Sequence, residues 1–479
     1  MGDKKFYITT SIAYTNAPPH LGYSLELVQA DILARYHKIL GKDVFFLTGT
    51  DEHGLKVARK AEEAGKTPED FTNELSEKFK ELAKVLNLSN NDFIRTTDKK
   101  RHWPNVEMVW KRLQEKGDIY KKKYKGLYCV GCEAFITKKD LIDGKCKIHQ
   151  KEPEVEEEEN YFFRLSKYSK KIEEIIKKDG VKIIPEGRKN EMLSFISQGL
   201  EDISFSRPRK DLEWGIPVPN DDSQIIYVWA DALINYISAF GGFDSEKFKK
   251  YWPADVQCVG KDILRFHATI WLGMLLSLGL KLPKNILVHG FITSGGQKMS
   301  KSRGNVVDPF ELVQKYGVDA VRYFLLREIP TTEDGDFTEE KFIERYNADL
   351  ASGLGNLVAR VITLAKKFNL RGQPKKANFN FKVSETKARV NNFINNFKLN
   401  EALIAIWELI SDCDKYINQE KPWSLDATRD KEKLDEVINN LLAVIGEITE
   451  LLRPFFPETS EKILEQLKSK KLEPLFPRI

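Results

Sequence analysis

Apolar positions along the chain follow two rhythms. Phe6-Tyr-Ile-Thr-Thr-Ser-Ile12 is a β-branched and aromatic run that predicts a strand. A loop holding Pro18 and Pro19 follows, and then Leu25, Val28, Ile32, Tyr36 and Ile39 recur at helical spacing. Gly41 supplies the stop, and Val44-Phe-Phe-Leu47 predicts a short buried strand. Strand, crossover helix, strand is the βαβ unit of a parallel sheet with covered faces. Residues 60–115 are rich in Glu, Lys, Leu and Ala and predict helices. From about 116 to 222 that rhythm is lost, and the stretch reads as an insertion. Lys121-Lys-Lys-Tyr-Lys125 leads into a Cys/His segment, and the acidic run Glu156 to Glu159 is expected to be a solvated face or loop. Alternation resumes at Gln224-Ile-Ile-Tyr-Val-Trp229. Apolar strands follow at Val256-Gln-Cys-Val259 and Asn285-Ile-Leu-Val288, with a helix from about Ile263 to Leu278 between them. These segments predict one α/β sheet split by an insertion.

From about 340 onward nearly everything reads as helix. Leu434, Ile438, Leu441, Ile445, Ile448 and Leu452 make one core-facing stripe. Pro454 and Pro457 then break the chain, and Thr459 or Ser460 is the expected cap of a last helix. The tail is thus expected to be a helix bundle, without internal repeats.

Length and composition narrow the class. At 479 residues, about three compact units are expected. Hydrophobic residues at 41% and charged residues at 31% exclude wholesale disorder and a fibrous chain. No apolar run approaches the roughly 18–20 residues that span a bilayer. The start, Met1-Gly-Asp-Lys-Lys-Phe-Tyr-Ile, lacks the apolar core and cleavage site of a signal peptide. A cytoplasmic protein with no membrane partner is expected. The net charge of +5 permits a nucleic-acid partner through a local patch without arguing for one. Five Cys are too few, and odd in number, for a disulfide framework, which points to a reducing compartment and to metal binding by clustered thiols.

Four segments could carry chemistry. Pro18-Pro19-His20-Leu21-Gly22-Tyr23 lies after the first strand and opens the first helix, where an open α/β sheet binds ligands. Helix N-terminal N–H groups favour an anion there, and His20 can donate to a phosphate oxygen as charge develops. A turn with a capping histidine is the plainer alternative. Ser294-Gly-Gly-Gln-Lys-Met-Ser-Lys-Ser-Arg-Gly304 is glycine-rich, with lysines three apart. Such a loop can close over a triphosphate and neutralise it, or can simply be solvated. Cys129-Val-Gly-Cys132 and Cys146-Lys-Ile-His149 have the ligand spacing of one tetrahedral Zn²⁺ with a full, structural shell; free thiols are the alternative. In the tail, Asn356 and Arg360 are four apart on one helix face, and Trp423 follows Pro422. Stacking on aromatics and hydrogen bonds to base edges would let these read single-stranded bases, whereas Pro-Trp alone suits a packed bundle corner.

His20-Leu-Gly-Tyr23 and Lys298-Met-Ser-Lys-Ser302 together resemble the two signatures of class I aminoacyl-tRNA synthetases, in their order and separation. Thr50-Asp-Glu-His-Gly54, Tyr227-Val-Trp-Ala-Asp231, Gly260-Lys-Asp-Ile263 with His267 and Trp271, and Val288-His-Gly290 are similar to methionyl-tRNA synthetase in particular. The resemblance runs over nearly the whole chain. It implies a Rossmann-like parallel sheet split by a zinc-binding insertion and followed by an all-α helix-bundle domain. Residues 1–115 and 223–345 would be the two halves of the catalytic domain, 116–222 the connective insertion, and 346–479 the anticodon-binding domain.

The implied activity is that of a methionine–tRNA ligase. Methionine carboxylate attacks the α-phosphorus of ATP to give methionyl-adenylate, which then acylates the terminal ribose of tRNA(Met) for translation, initiation included. By the same resemblance His20, Lys298 and Lys301 would act on the phosphates with Mg²⁺ alongside. Gly22, Tyr23, Lys261, Asp262, His289 and Ser300 would line the ATP site. Ile12, Tyr14, Asp51, Trp229, Ala232, Leu233, Tyr236, Ile263, His267 and Trp271 would form the methionine pocket, with Asp51 pairing with the substrate ammonium. Cys129, Cys132, Cys146 and His149 match a one-zinc knuckle, and Asn356, Arg360 and Trp423 match anticodon-reading positions. The chain departs from the family at Tyr23, where a histidine is usual; tyrosine can donate one hydrogen bond but carries no positive charge at neutral pH. No further tRNA-binding domain follows the bundle before Ile479, and a monomer is expected.

Related enzymes for isoleucine, valine or leucine carry a much larger editing insertion than 116–222 provides. A cysteine enzyme would use its zinc at the substrate. A nucleotidylyltransferase would not need the Asn356–Trp423 bundle, and an RNA-binding protein with a decayed site would be supported only by Tyr23.

Overall fold

The computed structural model describes residues 4–132, 134–136, 140–299, 304–368 and 382–479, without the side chains of 124, 134, 135, 156–158 and 298. The chain divides into two compact units. The first comprises Met1–Pro19, His37–Lys84 and Ser89–His289; the second comprises His20–Tyr36, Val85–Leu88 and Gly290–Ile479.

The first unit is built on a seven-stranded sheet. Its order is Lys182–Ile184, Asn285–His289, Val256–Gly260, Lys5–Thr9, Asp43–Asp51 and Ala13–Tyr14, with Asp92–Arg95 also paired to Asp43–Asp51. Every pairing is parallel. Val256–Gly260 is buried at all five positions, as expected for a strand covered on both faces. The order reverses between Lys5–Thr9 and Val256–Gly260, and the crevice outside the carboxyl ends of strands at such a point is where open sheets bind ligands.

Two sequence expectations are corrected here. Gln224–Trp229 is not a strand of this sheet. The strand is Asp221–Ile226, and it pairs antiparallel with Ser206–Pro208 and Pro217–Val218, after which Val228–Ala232 turns into a helix. The sheet instead gains Lys182–Ile184, from within the stretch that reads as an insertion. Of the two forms expected for the acidic run, it is a solvated strand face and not a loop, with Glu154, Val155 and Glu159 exposed. Glu154–Phe163 is a strand paired antiparallel with Ile119–Cys129, in a register that sets Lys125 against Glu157 and Lys123 against Glu159. Of the described side chains, Glu159 faces Lys123 in this register and lies 3.7 Å from the Lys121 ammonium, an opposite-charge contact that favours the pairing.

In the second unit, the helix Leu21–Ile39 and the helix Val318–Arg327 are joined by a fully buried ion pair. Arg322 donates to Asp31 Oδ2 at 2.7 Å, to Phe455 O at 2.8 Å, and to Leu86 O and Pro454 O at 3.1 Å. These carbonyls and the carboxylate satisfy a guanidinium that would be very costly to bury alone. The tail is a bundle of Asn356–Lys367, Val383–Asn395, Leu399–Glu420, Lys431–Leu452 and Pro457–Ser469. The predicted stripe from Leu434 to Leu452 is wholly buried on Lys431–Leu452. The last helix starts at Pro457, so Thr459 and Ser460 fall inside its first turn. Its cap comes from elsewhere, as Asp319 Oδ2 accepts from the Thr459 N–H at 2.6 Å.

Candidate active site

Because the sheet is parallel, its carboxyl ends share one edge, and the sequence-predicted residues of the first unit gather there. Ile12 and Tyr14 follow Lys5–Thr9, Asp51 ends its strand, Lys261 and Asp262 follow Val256–Gly260, and His289 ends Asn285–His289. Tyr14 pairs in register with Asp51, and the Asp51 carbonyl accepts from Thr15 N–H at 2.9 Å. Lys261 N–H donates to His289 O at 3.2 Å. Gly260 leaves the backbone close to the side chains that follow it, since a Cβ there would lie 2.7 Å from Asp262 Oδ1, which would have to swing aside, and 3.6 Å from His289 Nε2.

A wall of rings adjoins this edge. Val228–Ala232 and Asn235–Ser238 carry Trp229, Ala232 and Tyr236, with Leu233 between them; Phe266–Trp271, wound as a π-helix, carries His267 and Trp271. Single π turns of this kind are frequent at functional sites. Ile12, Tyr14, Trp229, Leu233, Tyr236, Ile263 and Trp271 belong to or pack on one hydrophobic cluster. Trp229 stacks on Phe266 with centroids 4.0 Å apart, and Tyr236 lies 5.6 Å from Trp271. His267 is held at both ring nitrogens, with Nδ1 3.1 Å from Ile263 O and Nε2 2.8 Å from the Tyr236 hydroxyl. The Ile263 carbonyl can only accept, so Nδ1 carries the proton and Nε2 accepts from Tyr236. Burial lowers the His267 pKa to about 4, which keeps the ring neutral at pH 7.

In the second unit, His20 is exposed at the start of Leu21–Ile39 and its Nδ1 accepts from Gly22 N–H at 3.1 Å. Gly22 and Tyr23 are half-buried in the first turn. The hairpin Ile292–Ser294 and Gln297–Lys298 leads into the lysine loop. Asp336 Oδ1 anchors it, accepting from Thr293 Oγ1 at 2.6 Å and from Gly296 N–H at 2.7 Å. The side chain of Lys298, and Ser300 and Lys301 altogether, lie outside the described residues.

Sequence reading missed what clamps the loop after Asp51. Glu52 is fully buried and takes a two-point ion pair from Arg95, at 2.7 and 2.8 Å. His53 and His102 each hold one oxygen of the buried Asp231. Burial raises the Asp231 pKa, but the facing imidazoles outweigh it and hold the carboxyl below its usual range. The visible signal was an aspartate inside the apolar run Val228-Trp-Ala-Asp-Ala232, which demands buried partners.

Cys129, Cys132, Cys146 and His149 do converge, with ligand atoms all within 4.8 Å of one another. Cys132 Sγ is 3.6 Å from Cys146 Sγ and 3.3 Å from His149 Nδ1, which lies 3.9 Å from Cys129 Sγ and 4.0 Å from Cys146 Sγ. Standard zinc–ligand bond lengths imply edges of about 3.5–3.8 Å for a tetrahedral shell, so the donor set fits such an ion. Gly131 makes room for it, since a Cβ there would come within 2.4 Å of the His149 ring.

The bundle brings Arg360 and Trp423 together. The guanidinium lies 5.6 Å from the indole centroid and is steadied by Asn418 Oδ1 at 2.9 Å and Asp414 Oδ1 at 3.5 Å. Trp423 is 47% exposed, although the packed-corner alternative would bury it. Asn356 is exposed one turn before Arg360.

The sequence matches the family described as tRNA synthetases class I (M) over residues 6–140 and 136–362. It matches the anticodon-binding domain of tRNA ligase over 378–477. It is 45% identical over 475 residues to the methionine–tRNA ligase of Thermotoga maritima, covering 97% of this chain and 75% of that one. It is 46% identical over 475 residues to that of Caldanaerobacter subterraneus subsp. tengcongensis, covering 97% and 74%. Among solved structures, Mycobacterium tuberculosis methionyl-tRNA synthetase in complex with methionyl-adenylate matches with a TM-score of 0.92 at 38% identity, covering 99% of this chain and 100% of that one. The apo form of that enzyme matches at 0.85 and 34% identity, covering 100% and 99%. With its two sequence segments and its fold both accounted for in this way, the chain belongs to the methionyl-tRNA synthetase family of class I tRNA synthetases.

Proposed function

We propose that the chain is a methionine–tRNA ligase whose amino-acid pocket is the ring-lined wall at the carboxyl edge of the sheet. The observation that carries this reading is the neutral, aromatic enclosure of His267, Tyr236, Trp229 and Trp271 in the same unit as Asp51. Asp51 pairs with the substrate ammonium, leaving the uncharged rings for the side chain. A thioether suits them, since each sulfur–aromatic contact is worth about 0.3–1.5 kcal/mol. Because one methylene is discriminated by only about 1–3 kcal/mol, several rings must act together to exclude near analogues. Ile12, Tyr14, Ala232, Leu233 and Ile263 complete the enclosure.

In the first step a methionine carboxylate oxygen attacks the α-phosphorus of ATP and pyrophosphate leaves. In the second, a ribose hydroxyl of the terminal adenosine of tRNA(Met) attacks the adenylate carbonyl and AMP leaves. No enzyme nucleophile is involved, so the protein contributes positioning and charge stabilisation. His20, Lys298 and Lys301 neutralise the developing charge on the phosphates, and Gly22, Tyr23, Lys261, Asp262, His289 and Ser300 hold the nucleotide. Mg²⁺ supplies further charge neutralisation when bound with ATP. Zn²⁺ held by Cys129, Cys132, Cys146 and His149 braces the insertion. Residues 1–115 and 223–345 then form the catalytic domain, 116–222 its insertion and 346–479 the anticodon-binding domain, where Asn356, Arg360 and Trp423 contact the tRNA. A monomer acting in the cytoplasm belongs to the same reading; among the described residues no helix is long and apolar enough to cross a membrane.

The test is ATP–pyrophosphate exchange against all twenty amino acids with Mg²⁺ present. Exchange with methionine alone is expected, and Asp51→Asn should raise the methionine KM at least tenfold. Exchange driven by another amino acid would overturn the pocket, and none with any would overturn the ligase.

A further inference from the structure

Asp231 lies two residues from Trp229 on one side of the proposed pocket, and His53 lies two residues from Asp51 on the other. The carboxylate joins the two segments directly. His53 Nδ1 is 2.7 Å from Asp231 Oδ2, and His102 Nε2 is 2.6 Å from Asp231 Oδ1. The array continues outward, with His102 Nδ1 2.8 Å from Ser238 Oγ. A carboxylate only accepts, so each imidazole donates one N–H to one oxygen, and the serine hydroxyl can donate to the remaining His102 nitrogen. Asp231 and His102 are fully buried and His53 is 2% exposed. The His53 ring is held edge-on between Trp103 and Trp214, at 5.9 and 5.4 Å. The Trp214 indole N–H donates to the Glu52 carbonyl at 2.5 Å, and Gly54 N–H donates to Trp214 O at 3.3 Å. The loop bearing Asp51 is thus fixed on both sides of His53.

Burying a carboxylate here costs desolvation that the two imidazoles must offset. Well-packed apolar side chains of the same volume often serve a core as well or better. What apolar packing cannot supply is a directional, two-ended link that sets the spacing between two loops. We infer that Asp231 is a positioning residue for methionine binding: by bridging His53 and His102 it fixes the Asp51 carboxylate against the Trp229 wall. The inference rests on the proposed methionine pocket. It assigns Asp231, His53 and His102 no contact with substrate and no proton transfer.

The experiment measures exchange kinetics, normalised by active-site titration, for Asp231→Asn, His53→Ala and His53→Asn. An asparagine at 231 keeps the volume but can accept from only one imidazole. The methionine KM is expected to rise about tenfold with the ATP KM within twofold of the parent. His53→Ala should reproduce this. His53→Asn, whose amide N–H stands in for Nδ1–H, should restore the methionine KM to within about threefold. A merely structural role would lower the active fraction or move both KM values together. A methionine KM within twofold of the parent in Asp231→Asn, or a parallel rise for ATP, would overturn the inference. Should Asp231→Asn not fold, the two His53 variants decide, and equal KM values for the pair would overturn it. Asp51→Asn separates the two levels: an unchanged methionine KM there would sink the pocket itself, whatever Asp231 does.

Discussion

His267 shows how one residue couples the pocket to solution conditions. Its ring is buried and neutral, with a pKa lowered to about 4 from an ordinary value of 6.5. Between those values the unfolded chain binds a proton that the folded chain refuses, so stability rises with pH across this window. The contribution is complete above pH 6.5 and is lost as pH falls toward 4. A displacement of this size corresponds to about 3 kcal/mol over the whole window and about 2 kcal/mol at pH 5. His37 is likewise lowered to about 4, by burial first and then by the Lys42 charge, and adds a slope of the same sign. Urea denaturation at pH 7 and pH 5 should show the parent losing stability on acidification. His267→Gln should lose markedly less, keeping only the share that belongs to His37 and the other groups. An equal loss in both proteins would show that His267 is not kept neutral by the fold.

At the scale of elements, the knuckle between Cys129 and His149 is held by very short pieces. Leu141–Ile142 and Lys145–Cys146 form a two-residue ladder, too little to stand without an added constraint. Burial and the neighbouring thiols push the Cys132 thiol above its usual range, which a bound cation would reverse by stabilising the thiolates. One zinc per chain is expected by elemental analysis. Cys146→Ser should abolish it and open the insertion to proteolysis while the bundle stays protected. Full zinc content in that variant would remove Cys146 from the shell. The knuckle was legible in sequence because ligand spacing is a local property. The bundle stripe was legible because Lys431–Leu452 is long enough to carry six positions of one period, at Leu434, Ile438, Leu441, Ile445, Ile448 and Leu452. Lys182–Ile184 was not, since three residues carry no period and only Asn285–His289 makes them a strand. Of the expected strand Gln224–Trp229 only residues 224–226 lie in a strand, and they belong to a different sheet, because sheet membership is decided by partners distant in sequence. The Asp319 cap was hidden for the same reason, sitting 140 positions from Thr459. In the candidate site, single residues could be placed by motif, whereas the links among Asp231, His53 and His102 are visible only once three separated segments have folded together.

For the whole molecule, activation and tRNA charging make different demands. Activation in the proposed scheme uses residues near the two signature motifs and the ring-lined wall, and none from the bundle. Charging needs the tRNA as well, and the proposed scheme assigns its anticodon contact to an indole that is 47% exposed with a guanidinium 5.6 Å from its centroid. Stacking of a base on such a ring is worth about 1–3 kcal/mol, or roughly 5- to 150-fold in binding. Trp423→Ala removes it from an exposed position whose loss should cost the bundle little stability. It should therefore lower kcat/KM for tRNA(Met) charging by a factor in that range, with ATP–pyrophosphate exchange unchanged. Arg360→Ala should lower charging in the same direction, and the double variant should fall by less than the product of the two, because guanidinium and indole form one contact. Equal losses in exchange and charging would mean that Trp423 supports the fold and does not read the tRNA. Unchanged charging would leave this aromatic face without a role in anticodon contact.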